Sequence, residues 1–199
     1  SQTLPPRTLN SDRITRRPSG IFPARAPLNG EYVRLEPVHP DRHAQELWEA
    51  AHGHDAIWDY LAYGPFATVD AMHAYLRGYA GQADPIFFAI RDKRDGKVAG
   101  IVSIMSIRPN DGVVEIGHIW FAPSLQHTRE ATEALYLCMH YLMDDLGYRR
   151  LEWKCNALNA GSRAAAARLG FAFEGIFYNA TIVKGCNRDT AWFSILDSE

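Results

Sequence analysis

The chain has 199 residues, 47% hydrophobic and 22% charged, with a formal net charge of −2. That composition supplies one buried core and gives no reason to expect general affinity for nucleic acid. Cys138, Cys155 and Cys186 are odd in number and lack metal-ligand spacing, so they argue against a disulfide framework and suit a reducing cytoplasm, while the longest apolar runs, such as 101–107, are too short to cross a bilayer.

Residues 1–28 differ from the rest. Arg7, Arg13, Arg16, Arg17 and Arg25 stand against a single acid, Asp12, and prolines recur at 5, 6, 18, 23 and 27. An arginine-containing, acid-poor leader resembles a transit peptide, but the prolines oppose the amphipathic helix such a peptide needs. The segment reads as an extension that drapes over the domain or a partner. Residues 29–199 read as one domain.

Within it, 32–35 alternates as a short strand. Pro40 and Asp41 suit a helix first turn, and Ala44, Leu47, Trp48 and Ala51 recur at helical spacing. Residues 52–67 are irregular and rich in aromatics. Thr68 is an N-cap candidate for a helix with Val69, Met72, Tyr75, Leu76 and Tyr79 on one face, closed by Gly81. Strands follow at 86–90, 98–107 and 113–121, separated by Asp95-Gly96 and Asp111-Gly112 turns.

Along 113–121, alternation places Val114, Ile116, His118 and Trp120 on one face, and Val113, Glu115, Gly117, Ile119 and Phe121 on the other. A polar loop, Gln126-His127-Thr128-Arg129-Glu130-Ala131, then opens a helix predicted to run to Leu146, with Ala131, Ala134, Leu135, Cys138 and Leu142 along one stripe and Gly147 as its cap. A strand at 151–155 leads to Asn159, the N-cap of a short helix whose stop is Gly170. Strands at 171–183 and 190–196 complete the chain. A strand ending in a loop that opens a helix presents unpaired N–H groups and a positive dipole end, which suit phosphate.

The resulting order, β-α-α-β-β-β-α-β-α-β-β, predicts an α/β domain with a mixed, largely antiparallel sheet and a central βαβ crossover. Its sequence and motifs resemble the GNAT superfamily of acetyl-CoA-dependent N-acyltransferases over roughly residues 30–196. The RimJ/RimL-like branch, which includes ribosomal-protein-alanine acetyltransferases, is the nearest match. The resemblance rests on Glu115-Ile116-Gly117, on Gln126 with Ala131, on Thr128 with Thr132-Glu133-Ala134, on Asn159 with Ser162, and on Arg188-Asp189-Thr190. Arg129 stands where a glycine is usual, His118 where tyrosine is frequent, and Tyr178 where arginine is frequent.

The resemblance implies acyl-CoA as co-substrate, without a metal, and direct attack by a primary amine, either a protein N-terminus or a small molecule. It implies that Gln126, His127, Thr128, Arg129, Ala131 and Thr132 bind the phosphates. Ile119, Trp120 and Phe121 border the acyl arm, with N–H groups near Ile119 polarising the thioester carbonyl. Asn159 contacts the pantetheine, and Cys155 borders the sulfur or is a small buried hydrophobe. Glu115 is a general base acting through water, or a structural acid paired with an arginine. His118 is an alternative base or an ordinary core histidine. Ser162 donates a proton to the leaving thiolate, or caps its own helix. Trp58, Tyr60, Tyr63 and Phe66 shape the acceptor pocket or pack the core. Acetyl and succinyl donors both fit, as does a non-catalytic CoA-binding module. The expected protein is cytoplasmic, a monomer or homodimer, with no membrane or nucleic-acid partner.

Overall fold

A computed structural model describes residues 4–199; the first three residues of the extension lie outside it. The helices are α1 (Pro40–Ala51), α2 (Val69–Ala80), α3 (Arg129–His140) and α4 (Ala160–Arg168). The strands are β1 (Leu28–Asn29), β2 (Val33–Pro37), β3 (Ile86–Asp92), β4 (Val98–Arg108), β5 (Val113–Phe121), β6 (Arg150–Asn156), β7 (Ala172–Val183) and β8 (Cys186–Leu196). They form one sheet in the order β1-β2-β3-β4-β5-β6-β8-β7. Among the described residues only the β5–β6 contact is parallel, and α3 makes its crossover. This is the mixed, largely antiparallel α/β sheet that the element order predicts.

Alternation along the strands divides the apolar residues between the two faces. One face, carrying Val114, Ile116, Trp153, Cys155 and Phe193, packs with Ala134, Leu135, Cys138 and Leu142 from α3 and its continuation, and with Ala166 from α4. The other, carrying Phe87, Ala89, Ile101 and Trp120, packs with Leu47 of α1 and with Met72 and Leu76 of α2. Both faces are covered, so β3 is buried at nearly every position.

The caps follow local chemistry. Thr68 Oγ1 accepts from Ala71 N at 3.1 Å, and Pro40 occupies the first turn of α1. The helix predicted to continue to Leu146 changes character at Tyr141. Residues Tyr141–Asp145 form a π turn, and Leu146 N bonds Tyr141 O at 3.0 Å before Gly147, at φ +72°, ends the run. β1 has no sequence signal of its own, being two residues long. β8 begins at Cys186 rather than Thr190, because its hairpin with β7 extends to Val183↔Cys186.

The larger correction concerns β5. Ser103 pairs with Gly117, but Ile101 pairs with Trp120, so β5 carries an extra residue at His118–Ile119. His118 takes φ +49°. The bulge reverses the alternation: Ile116 faces α3, whereas Trp120 turns to the α1–α2 face and meets Trp58 at 4.9 Å between ring centroids. The expected common face for Val114, Ile116, His118 and Trp120 therefore does not exist. Gly100 pairs with Phe121 just beyond the bulge, and a Cβ there would fall 2.7 Å from Trp120 O, so a side chain would push the two strands apart.

Residues 4–27 contain no helix or strand and lie against the domain. The Arg7 guanidinium donates to Glu199 at 2.7 Å, Ser19 Oγ to Leu146 O at 2.6 Å, and Tyr148 Oη to Ile21 O at 2.9 Å. On α3, the Glu133 carboxylate accepts from the N–H groups of Glu31, Tyr32 and Val33 at 3.1, 2.8 and 2.9 Å. It thereby fastens the entry of β2 beside the start of α3.

Candidate active site

β5 and β6 pair only at Val113↔Arg150, Val114↔Leu151 and Glu115↔Glu152. Beyond Glu115 they part, while β6 stays fully paired with β8 as far as Asn156↔Thr190. The gap is a cleft of about 820 Å³ that reaches both faces of the sheet. On the α3 side its walls are the start of α3, Ile119, Phe121, Cys155, Asn159 and Ser162. On the α1–α2 side they are Ala56, Ile57, Tyr60, Leu61, His118, Lys154 and Arg188.

At the first mouth, Thr128 is the N-cap of α3, and its Oγ1 accepts from Ala131 N at 3.2 Å. The N–H groups of His127 and Arg129 have no acceptor among the described residues, and the helix dipole adds positive potential there. Arg129 is the first helical residue, so its backbone needs no glycine. The left-handed position is His127, at φ +59°. The Glu130 carboxylate is turned away from the cleft, 3.3 Å from Arg129 Nε and 3.5 Å from Arg94 Nε. The Arg129 guanidinium lies over the Tyr32 ring, 4.1 Å from its centroid. Gln126 uses its amide to donate to Phe121 O at 2.9 Å, bracing the end of β5 against the loop.

At the start of α4, Asn159 Oδ1 accepts from Ser162 N at 3.1 Å. The cap is therefore Asn159, not the Ser162 hydroxyl. Ser162 Oγ instead accepts from Trp153 Nε1 at 3.0 Å, which leaves its own proton available. Cys155 is buried beside it, and burial pushes its thiol above the ordinary range despite the Ser162 hydroxyl. Ile119, Trp120, Phe121, Gln126, His127, Thr128, Arg129, Ala131, Thr132, Cys155, Asn159 and Ser162 all line the one cleft.

Glu115 does not line it. It lies behind Lys154, whose Nζ is 2.9 Å from Glu115 Oε1, and Ser106 Oγ donates to the same oxygen at 3.2 Å. Its partner is a lysine rather than the arginine expected of a structural acid. Burial raises its pKa, and Lys154 opposes that shift. His118 is on the cleft wall: its Nδ1 is 2.9 Å from Tyr63 Oη, and burial lowers its pKa to about 4. Trp58 is core, Phe66 packs against it, Tyr63 supports His118, and Tyr60 lines the cleft. Lys154 carries no motif of its own; the available signal is its place between buried Trp153 and Cys155 in an alternating strand, which turns it to the other face.

The His118 shift has a defined sign. A buried imidazole that stays neutral binds fewer protons folded than unfolded, so stability falls as pH drops from 6.5 toward 4. In His118→Asn, which tolerates the positive φ, that part of the acid sensitivity should vanish. Denaturant unfolding at pH 7 and pH 5 measures it: the loss on acidification should be smaller in the variant than in wild type.

Residues 33–172 match the model of the acetyltransferase (GNAT) domain. No curated protein matches the chain. Among solved structures, a GCN5-related N-acetyltransferase from Brucella melitensis is 45% identical with a TM-score of 0.90, covering 93% of this chain and 84% of that one. A GNAT-family structure from Chromobacterium violaceum ATCC 12472 is 37% identical with a TM-score of 0.88, covering 98% of each chain. The Microcin C7 self immunity acetyltransferase MccE, solved with acetyl-CoA and AMP, shares the fold at 22% identity and a TM-score of 0.74, covering 84% of this chain and 93% of its own. The parted strands, the open helix start and these matches together place the chain in the GNAT acetyltransferase family, whose members transfer acetyl groups from acetyl-CoA.

Proposed function

We propose that this protein acetylates a primary amine by direct attack, in the manner of the RimJ/RimL-like branch. The observation that carries the reading is the cleft through the sheet. It joins a mouth with free backbone N–H groups to a chamber lined by aromatic and apolar side chains on the opposite face. A donor and an acceptor entering from opposite faces would meet at the gap between β5 and β6.

The free N–H groups of His127 and Arg129 fit a diphosphate. The unpaired β6-facing edge of β5 offers main-chain groups to an extended amide-bearing arm, and Asn159 keeps its side-chain N–H groups free after capping α4. Acetyl-CoA supplies an activated thioester carbonyl and a thiolate leaving group. Held beside the splayed strand near Ile119, that carbonyl would be polarised by backbone N–H groups.

The acceptor must arrive as a free amine. His118 is neutral at physiological pH and can accept a hydrogen bond from it, which orients the lone pair. Glu115, with its pKa raised by burial and its charge held by Lys154, is the stronger base and takes the amine's proton through water. Ser162, with its oxygen already accepting from Trp153, gives a proton to the departing sulfur. Cys155 needs no covalent role.

A thiol-release screen of acetyl- and succinyl-CoA against amines and short peptides tests the activity. Release with acetyl-CoA and an amine supports the proposal. CoA binding without turnover of any acceptor would identify a non-catalytic module instead.

Three variants test the parts. Arg129→Pro removes one free N–H at the first helical position, where proline is well tolerated and where Thr128, at φ −115° and ψ 160°, already has the extended conformation that precedes proline. Loss of a hydrogen bond to a charged group should weaken CoA binding by roughly 10- to 100-fold relative to Arg129→Ala. Equal affinity of the two variants by calorimetry would remove the loop from phosphate binding.

Glu115→Gln should lower the rate by roughly 10²- to 10⁴-fold while CoA affinity holds. A full-rate variant would assign deprotonation to solvent or to His118. Ser162→Ala should slow turnover clearly, and the defect should shrink with an acyl donor whose thiol has a lower pKa. Turnover within about twofold of wild type across the pH range would leave Ser162 only as the partner of Trp153.

A further inference from the structure

We propose that Arg188 is a specificity residue that binds a carboxylate carried by the acceptor amine, an inference that rests on the acetyl-transfer reading above. Arg188, Thr190 and Trp192 alternate along β8 on the face that also carries Lys154, since Lys154 pairs with Trp192 and Asn156 with Thr190. All three leave a buried polar atom without a partner among the described residues: Arg188 Nε, Thr190 Oγ1 and Trp192 Nε1. Buried donors are normally satisfied, so a run of three on one strand face needs an explanation. Of the three, Arg188 lines the cleft.

The neighbouring charges sharpen the point. Lys154, the other cation at this mouth, is neutralised by Glu115 at 2.9 Å and Glu152 at 3.5 Å. The Glu152 carboxylate is also bound by Arg150 at 2.9 Å. Asp189, the acid adjacent to Arg188, faces away: its carboxylate accepts from Asn179 N at 2.7 Å and from Asn187 Nδ2 at 3.1 Å. No carboxylate among the described residues forms an ion pair with Arg188. His118, across the mouth, is neutral. The acceptor chamber thus holds one guanidinium with its charge uncompensated, partly desolvated, beside apolar Ile57 and Leu61.

A guanidinium in that setting binds a planar carboxylate by charge-assisted hydrogen bonds and discriminates against a neutral isostere. It would orient an amino acid or similar acceptor by its acid group. An ammonium-only acceptor, such as a simple alkylamine, gains nothing from it.

The probes are matched sets: L-leucine, L-leucinamide and isoamylamine, with phosphoethanolamine as the phosphate arm. Each is assayed for acetyl transfer, and its binding to the CoA complex is measured by calorimetry. In wild type, leucine should exceed leucinamide in kcat/KM or affinity by roughly 10- to 100-fold. Arg188→Gln should bring the ratio near one by raising the acceptor KM rather than lowering kcat, and Arg188→Lys should restore part of it. CoA affinity should not change. A preference for phosphoethanolamine over leucine would overturn the carboxylate assignment, and an unaltered ratio in Arg188→Gln would overturn the role of Arg188. Weaker CoA binding in that variant would place Arg188 on the donor side and also overturn it. Carboxylate-dependent binding without turnover of any amine would retain Arg188 and reject acetyl transfer. Turnover with no carboxylate preference would do the reverse.

Discussion

The structure turns on the parting of β5 and β6 after three paired residues. Two parallel strands in the middle of a sheet would normally stay bonded along their length, since unpaired main-chain groups in a core are costly. Here β6 remains bonded to β8, and β5 is drawn along β4 through a bulge at His118–Ile119. A bulge adds a residue to one strand and increases its local twist, which carries β5 away from β6. The Gly100 backbone can lie close to Trp120 O because it has no side chain. The bulge and the close approach at Gly100 lie on the part of β5 that has left β6. The gap lets a group on the α3 face reach one on the α1–α2 face without crossing a packed layer.

The charge network beside the gap explains why a buried glutamate is tolerated. Glu115, Lys154, Glu152, Arg150 and Glu174 form a chain of ion pairs with separations between 2.6 and 3.5 Å. Lys154 also lies over the Trp192 ring, 3.9 Å from its centroid. Removing one member of a buried pair can cost about 3–5 kcal/mol, because the survivor keeps its desolvation penalty. A glutamine in place of Glu115 is milder, since its amide oxygen can still accept from Lys154. Lys154 opposes the upward effect of burial on the Glu115 pKa and stands between that carboxylate and the cleft.

Much of this was legible in the chain. The turn pairs Asp95-Gly96 and Asp111-Gly112, the caps Thr68 and Asn159, and the helical stripe from Ala131 to Leu142 located the main elements because each has a local cause. The mouth at the start of α3 was legible for the same reason, since a loop opening a helix is a local pattern. Of the mouth on the α1–α2 face, the aromatic segment supplied Tyr60 but not the rest. His118 turns toward Tyr63 through a bulge that depends on the pairing of β5 with β4, and strict alternation assigned it the wrong neighbours. Lys154 and Arg188 line the same cleft because β6 and β8 lie side by side in the sheet, although the two residues are 34 positions apart in sequence. Asn159 rather than Ser162 caps α4, as the local pattern indicates, but the contact of the Ser162 hydroxyl with Trp153 is tertiary and no local rule could supply it.

Whether donor and acceptor meet at the gap between β5 and β6 is decided by a crystal structure of the protein with CoA. The diphosphate is expected within hydrogen-bond distance of the N–H groups of His127 and Arg129. The pantetheine arm should lie along the free edge of β5 past Asn159, with the sulfur near Ser162 and pointing toward the chamber of Tyr60 and His118. A complex in which CoA occupies another surface, with β5 and β6 unchanged and the gap free of ligand, would contradict a meeting there.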